Sequence, residues 1–177
     1  HPNAAIFDLI KVEKYNLIIS AAADGSIAAI DAESFELIAK NKLCDQKLRS
    51  LCYIESSDVL LVASGDGFIR VLELPSLKVL NQFFAHEFSA NKVIKHPTKD
   101  LLLSGGRDAH LNIIEWPSCK IMEKIPAHNF AIYDIVFHPE NSLFATASRD
   151  KNIKIWDANN FQFLYRIINF IVKIKKK

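Results

Sequence analysis

Short runs of alternating apolar and polar residues cover this chain, and they return at a fixed interval. Ile27, Ile69, Leu111 and Ile153 stand 42 positions apart, as do Ala29, Val71, Ile113 and Ile155 two residues further on. The next position holds Ile30, Leu72, Ile114 and Trp156, each followed by an acid. Three residues before the first set stand Asp24, Asp66, Asp108 and Asp150. An ungapped pattern repeated in this way points to a repeat architecture. In the last copy the alternation of Ile132–Phe137 predicts a first strand, His138-Pro139-Glu140-Asn141 a turn, and Leu143–Ser148 a second strand. A tight turn at Asp150-Lys151-Asn152 leads into a third strand ending at Asp157, and Asn159-Asn160 turns the chain into a fourth over Phe161–Ile168. In the first two copies the tight turn is Asp24-Gly25 and Asp66-Gly67, where glycine supplies the positive φ of a hairpin. The apolar runs are too short, and too rich in Ile, Val and Phe, for a helical repeat. Each unit therefore predicts four short antiparallel strands.

Composition narrows the picture further. A chain of 177 residues with net charge +2 and 50% hydrophobic residues suits a soluble globular fold and not a disordered one. So small a net charge gives little reason to expect nucleic acid. The one basic cluster, Lys173 to Lys177 in a tail over 170–177, reads as a solvated end. Cys44, Cys52 and Cys119 are odd in number and form no CxxC pair, so neither a disulfide framework nor a zinc site is expected. Reduced, buried thiols in an intracellular, cytoplasmic protein are the reading adopted. No apolar run reaches the roughly 18 residues of a membrane helix, no signal peptide is visible, and no membrane partner is expected.

The last copy carries a resemblance. His128, Ile132, Phe137-His138-Pro139, Leu143, Ala147-Ser148-Arg149-Asp150 and Ile153-Lys154-Ile155-Trp156-Asp157 resemble the WD-repeat (WD40) family, and the likeness extends over residues 1 to about 168. It implies an all-β chain, a β-propeller whose blades each have four antiparallel strands. The repeats would run over about 1–43, 44–85, 86–127 and 128–169 of a single domain, 1–169. Discs of this family commonly have seven blades, which at about 42 residues each need roughly 290. These four are therefore expected to belong to a larger ring.

The resemblance also implies a buried network in each blade. Its members are the turn aspartate, a histidine before the first strand, a Ser or Thr on the second and the Trp on the third. The last blade would use Asp150, His128, Ser148 and Trp156. The third keeps Asp108 and His86 but has Gly106 and Ile114 in the other two places. The second keeps Asp66 and Ser64, with Cys44 in the histidine slot and Leu72 for Trp. The first keeps Asp24, with Ala22 and Ile30, and His1 in the histidine role. Unequal networks predict blades of unequal stability. Trp116, two positions past the usual Trp, is expected at an edge or rim.

Catalysis finds little footing. Asp150, His128 and Ser148 have the residue types of a hydrolase triad, but the aspartate recurs in every copy and no G-x-S-x-G elbow exposes the serine. His96-Pro97 and His138-Pro139 repeat at the same 42-residue step, as turn residues do, and no HExxH or similar ligand set appears. Gly105-Gly106 lies on a predicted second strand and opens no helix, so it is no phosphate loop. The chain is read as a non-enzyme without cofactor or metal.

What the resemblance leaves is a scaffold for other proteins or peptides. Its contact face is the side reached by the Asp turns. Ala23, Gly65, Arg107 and Arg149 precede those aspartates, and Phe7, Arg49, Asn91 and Tyr133 follow the first buried position of each first strand. Arg49, Arg107, Arg149 and Tyr133 would suit an acidic or phosphorylated peptide. The alternative is a nucleic-acid-binding propeller using those arginines and the tail. An arc of four blades would also leave its two outer faces uncovered, so self-association or capture of the remaining blades is expected, with a possible strand edge at Phe170–Ile174.

Overall fold

The computed structural model describes residues 3–168. His1, with its expected role as a blade histidine, lies outside them, as do the basic tail and the edge expected at Phe170–Ile174. Sixteen strands form four antiparallel sheets, each built from strands consecutive in sequence. Blade 1 is β1 (Ile6–Val12), β2 (Leu17–Ala22), β3 (Ser26–Asp31) and β4 (Leu37–Lys42). Blade 2 is β5 (Leu48–Ile54), β6 (Val59–Ser64), β7 (Phe68–Glu73) and β8 (Val79–Phe84). Blade 3 is β9 (Ala90–Lys95), β10 (Leu101–Gly106), β11 (His110–Glu115) and β12 (Ile121–Pro126). Blade 4 is β13 (Ile132–Phe137), β14 (Leu143–Ser148), β15 (Asn152–Asp157) and β16 (Phe163–Ile168). The last strand starts two residues later than its sequence suggests, because Phe161 takes a positive φ of 60° in the preceding turn.

The first strands of successive blades pack on one another, β1 on β5, β5 on β9 and β9 on β13. The fourth strands β4, β8 and β12 are largely exposed, with no fully buried residue, at the periphery. The middle strands β2, β6, β7, β10 and β11 are instead nearly continuous apolar runs buried on both faces. A sheet flanked on both sides needs apolar residues on both.

The core consequently lies in the seams. One cluster joins Val12, Ile19 and Ile27 of blade 1 to Leu60, Leu74 and Leu77 of blade 2. A second joins Ile54, Leu61 and Val71 of blade 2 to Val93, Trp116 and Cys119 of blade 3. A third joins Leu103 and Ile113 of blade 3 to Ile135, Phe144 and Trp156 of blade 4. Trp116 is therefore not a rim residue. It is only 7% exposed, and its indole N–H donates to Ser57 Oγ of blade 2 at 3.0 Å. The three cysteines are free; Cys119 is buried, whereas Cys44 and Cys52 are half-buried rather than fully inside.

Candidate binding face and buried histidine networks

The start of each first strand is pinned to the end of the second. Ile6 faces Ala22, Leu48 faces Ser64, Ala90 faces Gly106 and Ile132 faces Ser148. The next paired residues are Asp8, Ser50, Lys92 and Asp134, opposite Ala21, Ala63, Gly105 and Ala147. One residue of each first strand is thus left over, and these are Phe7, Arg49, Asn91 and Tyr133. A β-bulge breaks the period-two alternation and re-aims the side chain of its extra residue. The same pairing brings the Asp turns to this end of the blades. Gly65, Arg107 and Arg149 donate their backbone N–H groups to the carbonyls of Lys47, Ser89 and Ala131, just ahead of β5, β9 and β13.

Five of the six residues singled out for this face meet in one recess. Arg49, Asn91, Arg107, Tyr133 and Arg149, with Ser89 and Ala131, line a hollow of about 190 Å³ where blades 2, 3 and 4 converge. No carboxylate is among these lining residues, so their charge is wholly basic. A wider hollow of about 550 Å³ adjoins it, sharing Arg49, Ser89 and Arg107 and adding Lys47, Phe88, Asp66 and Glu87. Phe7, the sixth, stands outside both hollows but touches a residue they share, since the Arg49 guanidinium lies 4.8 Å from its ring centroid. The Arg149 guanidinium likewise lies 6.0 Å from the Phe130 ring. Cation–π contacts of this kind limit the rotamers of a long side chain. One Asn91 amide N–H is already donated to the Ile132 carbonyl at 2.8 Å, so Asn91 ties blade 3 to blade 4. Two buried donors in this region have no partner, Arg49 Nε and Ser89 Oγ. Ser89, Phe88 and Phe130 were not foreseen, although Phe88 and Phe130 stand one 42-residue step apart in the loops before β9 and β13.

Beneath this face, His128 donates through Nδ1 to Asp150 Oδ2 at 2.8 Å, and its Nε2 accepts from Thr146 Oγ1 at 2.7 Å. The Trp156 indole N–H donates to the same hydroxyl oxygen at 2.9 Å. The hydroxyl member is therefore Thr146 and not Ser148. Ser148 instead donates to the Phe130 carbonyl at 3.0 Å and accepts from the Asp150 N–H. Both residues have hydroxyls two positions apart, so alternation alone could not separate them; the deeper one is fully buried.

Blade 3 repeats the arrangement with Ser104. His86 contacts Asp108 Oδ1 at 2.9 Å and Ser104 Oγ at 2.7 Å. The expectation that this blade lacks its hydroxyl is thus corrected. Gly106 is not an empty serine position either, since a Cβ there would lie 2.2 Å from His86 Nδ1. Only the tryptophan is missing, replaced by fully buried Ile114. Asn112 donates to the Ala85 carbonyl at 2.6 Å, and its Oδ1 is left without a partner. The signal was present: Ser104 and Thr146 are one repeat step apart, as are Ser20 and Val62 before them.

Blade 2 solves the loss of its histidine differently. Arg70, at the repeat position of Asn112 and Lys154, donates to Asp66 Oδ2 at 2.6 Å and to Ser64 Oγ at 2.6 Å. Ser64 also donates to Asp66 Oδ1 at 2.6 Å. Cys44 borders the group: its thiol donates to the Gln46 carbonyl at 3.2 Å, and Asp66 and Arg70 both act on it. In blade 1, Asp24 accepts from the Ser26 hydroxyl at 2.6 Å and from its N–H at 3.0 Å.

These bonds set the charge states. Burial opposes ionisation of Asp108 and Asp150, but the hydrogen bonds from His86 and from backbone N–H groups on Asp108, and from His128 and backbone N–H groups on Asp150, outweigh it and hold both carboxyls at about 2. Burial pushes His128 below the ordinary histidine value, and Asp150 only partly offsets it. With Nδ1 donating and Nε2 accepting, neutral His128 satisfies both nitrogens. A histidine enclosed in this way is occupied as a structural link, and the hydroxyl it meets, that of Thr146, is fully buried. Among the described residues no group of three or more His, Cys, Asp or Glu could hold a metal ion.

Comparison with known proteins agrees with this geometry. Residues 119–157 match the family described as WD domain, G-beta repeat, a stretch that holds most of blade 4 and its network. A chain of a crystallised mitotic checkpoint complex has the same fold, with a TM-score of 0.82 and 18% identity. The alignment covers 94% of this chain and 52% of that one, so this chain spans about half of its length. No curated protein sequence matches. The resemblance drawn from the repeat is therefore supported: residues 119–157 match a WD repeat, and the fold of the chain is that of a β-propeller.

Proposed function

We propose that the chain is a non-catalytic scaffold whose bulge-and-turn face binds an acidic or phosphorylated peptide of a partner protein. The observation that carries this reading is the convergence of Arg49, Arg107 and Arg149 on one hollow whose lining includes no carboxylate. Guanidinium groups match carboxylate and phosphate oxygens in a fork geometry, and Tyr133, 57% exposed at its rim, adds apolar area. In the adjoining hollow Asp66 is already held by Arg70, which leaves Glu87 as the acid that an incoming peptide must avoid. No observation favours nucleic acid: the basic hollow is small, and two carboxylates line its neighbour.

Fluorescence anisotropy tests the reading with three labelled probes: a glutamate-rich peptide, its phosphoserine counterpart and a neutral control. The two acidic probes should bind and the neutral one should not. Arg107→Ala with Arg149→Ala should weaken binding by at least about 1 kcal/mol. Stability should stay nearly unchanged, because both side chains are exposed. Unchanged binding in the double variant would place the contact surface elsewhere.

A further inference from the structure

Three buried side-chain atoms have no hydrogen-bond partner among the described residues: Arg49 Nε, Ser89 Oγ and Asn112 Oδ1. Asn112 is enclosed beside His86 in the network of blade 3. Arg49 and Ser89 instead stand on the wall that the two hollows share, together with Arg107. A buried donor without an acceptor costs free energy, and folded proteins keep few of them. Two at one wall suit an incoming acceptor.

The repeat itself does not call for a hydroxyl here. The positions equivalent to Ser89 hold Ala5, Lys47 and Ala131. What all four share is a main-chain carbonyl that accepts the N–H of the residue before the turn aspartate, Ala23, Gly65, Arg107 or Arg149. Alanine serves this purpose in blades 1 and 4, so the Ser89 hydroxyl is surplus to the fold. The main chain of Ser89 is fixed by the bond from Arg107, at 2.8 Å. The residue is 7% exposed, and rotation about a single bond moves its hydroxyl between staggered positions beside the hollow.

The donors come from different directions. Arg49 rises from the bulge of β5, Ser89 from the loop before β9, and Arg107 and Arg149 from the Asp turns of blades 3 and 4. A carboxylate has two oxygens in one plane, and one guanidinium fork occupies both. A phosphate monoester has three terminal oxygens set tetrahedrally and a charge of about −1.5 to −2 at neutral pH. It can take a fork from one arginine and still accept from a second arginine and from a hydroxyl. It also offsets nearly two of the three positive charges around the hollow, where a carboxylate offsets one. A hollow of about 190 Å³ suits one compact head group rather than a length of chain.

Resting on the peptide-binding reading above, we propose that this wall seats the phosphoryl group of a phosphoserine or phosphothreonine, and that Ser89 is the residue that separates phosphate from carboxylate. Arg49 and Arg107 hold two of the oxygens, and the Ser89 hydroxyl donates to the third.

Fluorescence anisotropy on the whole chain and on Ser89→Ala tests this with three peptides of one sequence, carrying phosphoserine, glutamate or serine at the same position. The phosphoserine peptide should bind the wild-type chain about ten-fold more tightly than the glutamate peptide. Ser89→Ala should weaken the phosphoserine peptide about ten-fold, through the loss of one charge-assisted hydrogen bond, and leave the glutamate peptide within about two-fold. Its urea midpoint should be unchanged or higher, because a hydroxyl without a partner has been removed. Inorganic phosphate should compete only in large excess over the peptide. Equal affinities of the two acidic peptides, or an equal loss of both in Ser89→Ala, would overturn this proposal and leave the broader peptide reading standing. Displacement by inorganic phosphate at the peptide's own concentration would make the seat one for a free anion and overturn it as well. Failure of both acidic peptides to bind the wild-type chain would remove the proposal and the broader reading together.

Discussion

At the scale of single residues, the hydroxyl at Thr146 joins His128 to Trp156, and the hydroxyl at Ser148 does not. Thr146→Val keeps the shape and removes the acceptor of one buried donor and the donor to another group. It should destabilise by about 2–4 kcal/mol in urea unfolding, whereas Ser148→Ala should cost about 1 kcal/mol or less. The aspartate, the histidine and the tryptophan of this network were legible in the sequence because each recurs or stands at a fixed repeat position. The hydroxyl was harder to place, because Ser148 and Thr146 lie on the same face of one strand and only the repeat of Ser104 at Thr146 favours the deeper one. Arg70 was equally hidden: its repeat equivalents are Ala28, Asn112 and Lys154, which share no chemistry.

The same bonds give the chain an acid dependence whose sign is fixed. His96 and His128 are held below the ordinary histidine value, first by burial, and Asp108 and Asp150 are held at about 2. In all four groups the unfolded chain binds protons more readily than the folded one, so stability rises with pH across each window. The urea midpoint should fall first as the pH drops below about 6.5, from the histidines, and again below about 4, from the carboxyls. A midpoint that is flat from pH 7 to pH 3 would contradict the hydrogen-bond assignments.

At the scale of the strand and its turns, the alternating pattern and the Asp-Gly pairs were enough to place the strands, since both depend on local sequence. The bulges that aim Phe7, Arg49, Asn91 and Tyr133 depend on pairing with a second strand, which local pattern does not contain. The tight turns themselves are not equivalent. Gly25 and Gly67 have φ of 80° and 85°, while Ala109 and Lys151 take the same place at 66°. A Cβ on Gly67 would stand 2.2 Å from the His86 carbonyl oxygen, main-chain matter that cannot swing aside. Gly67→Ala should therefore cost about 2 kcal/mol or more, through the clash and the left-handed backbone together. Ala109→Gly, which relieves a strained φ and loosens the unfolded chain, should change stability by less than about 1 kcal/mol in either direction. Equal losses at the two positions, measured by urea unfolding, would show that the turns share one geometry.

For the whole molecule, the decisive feature is that every core cluster belongs to two blades. A blade deprived of its neighbour loses half its interior, so stability should propagate from seam to seam as in other linear repeats. Trp116 sits in the middle seam, packed with Ile54, Leu61 and Val71 of blade 2 and bonded to Ser57 across it. Trp116→Ala would open a cavity there, at a cost of about 3–5 kcal/mol. Because the first and third seams stay intact, the loss should fall on the coupling between halves rather than on either half. Two unfolding steps should then appear in urea, one for blades 1 and 2 and one for blades 3 and 4. Trp156, the remaining tryptophan, reports the second half by fluorescence, and amide exchange in β2 and β6 reports the first. A single transition seen alike by both probes would mean that the chain folds as one unit whichever seam is weakened, and that coupling along the arc exceeds what the middle seam supplies.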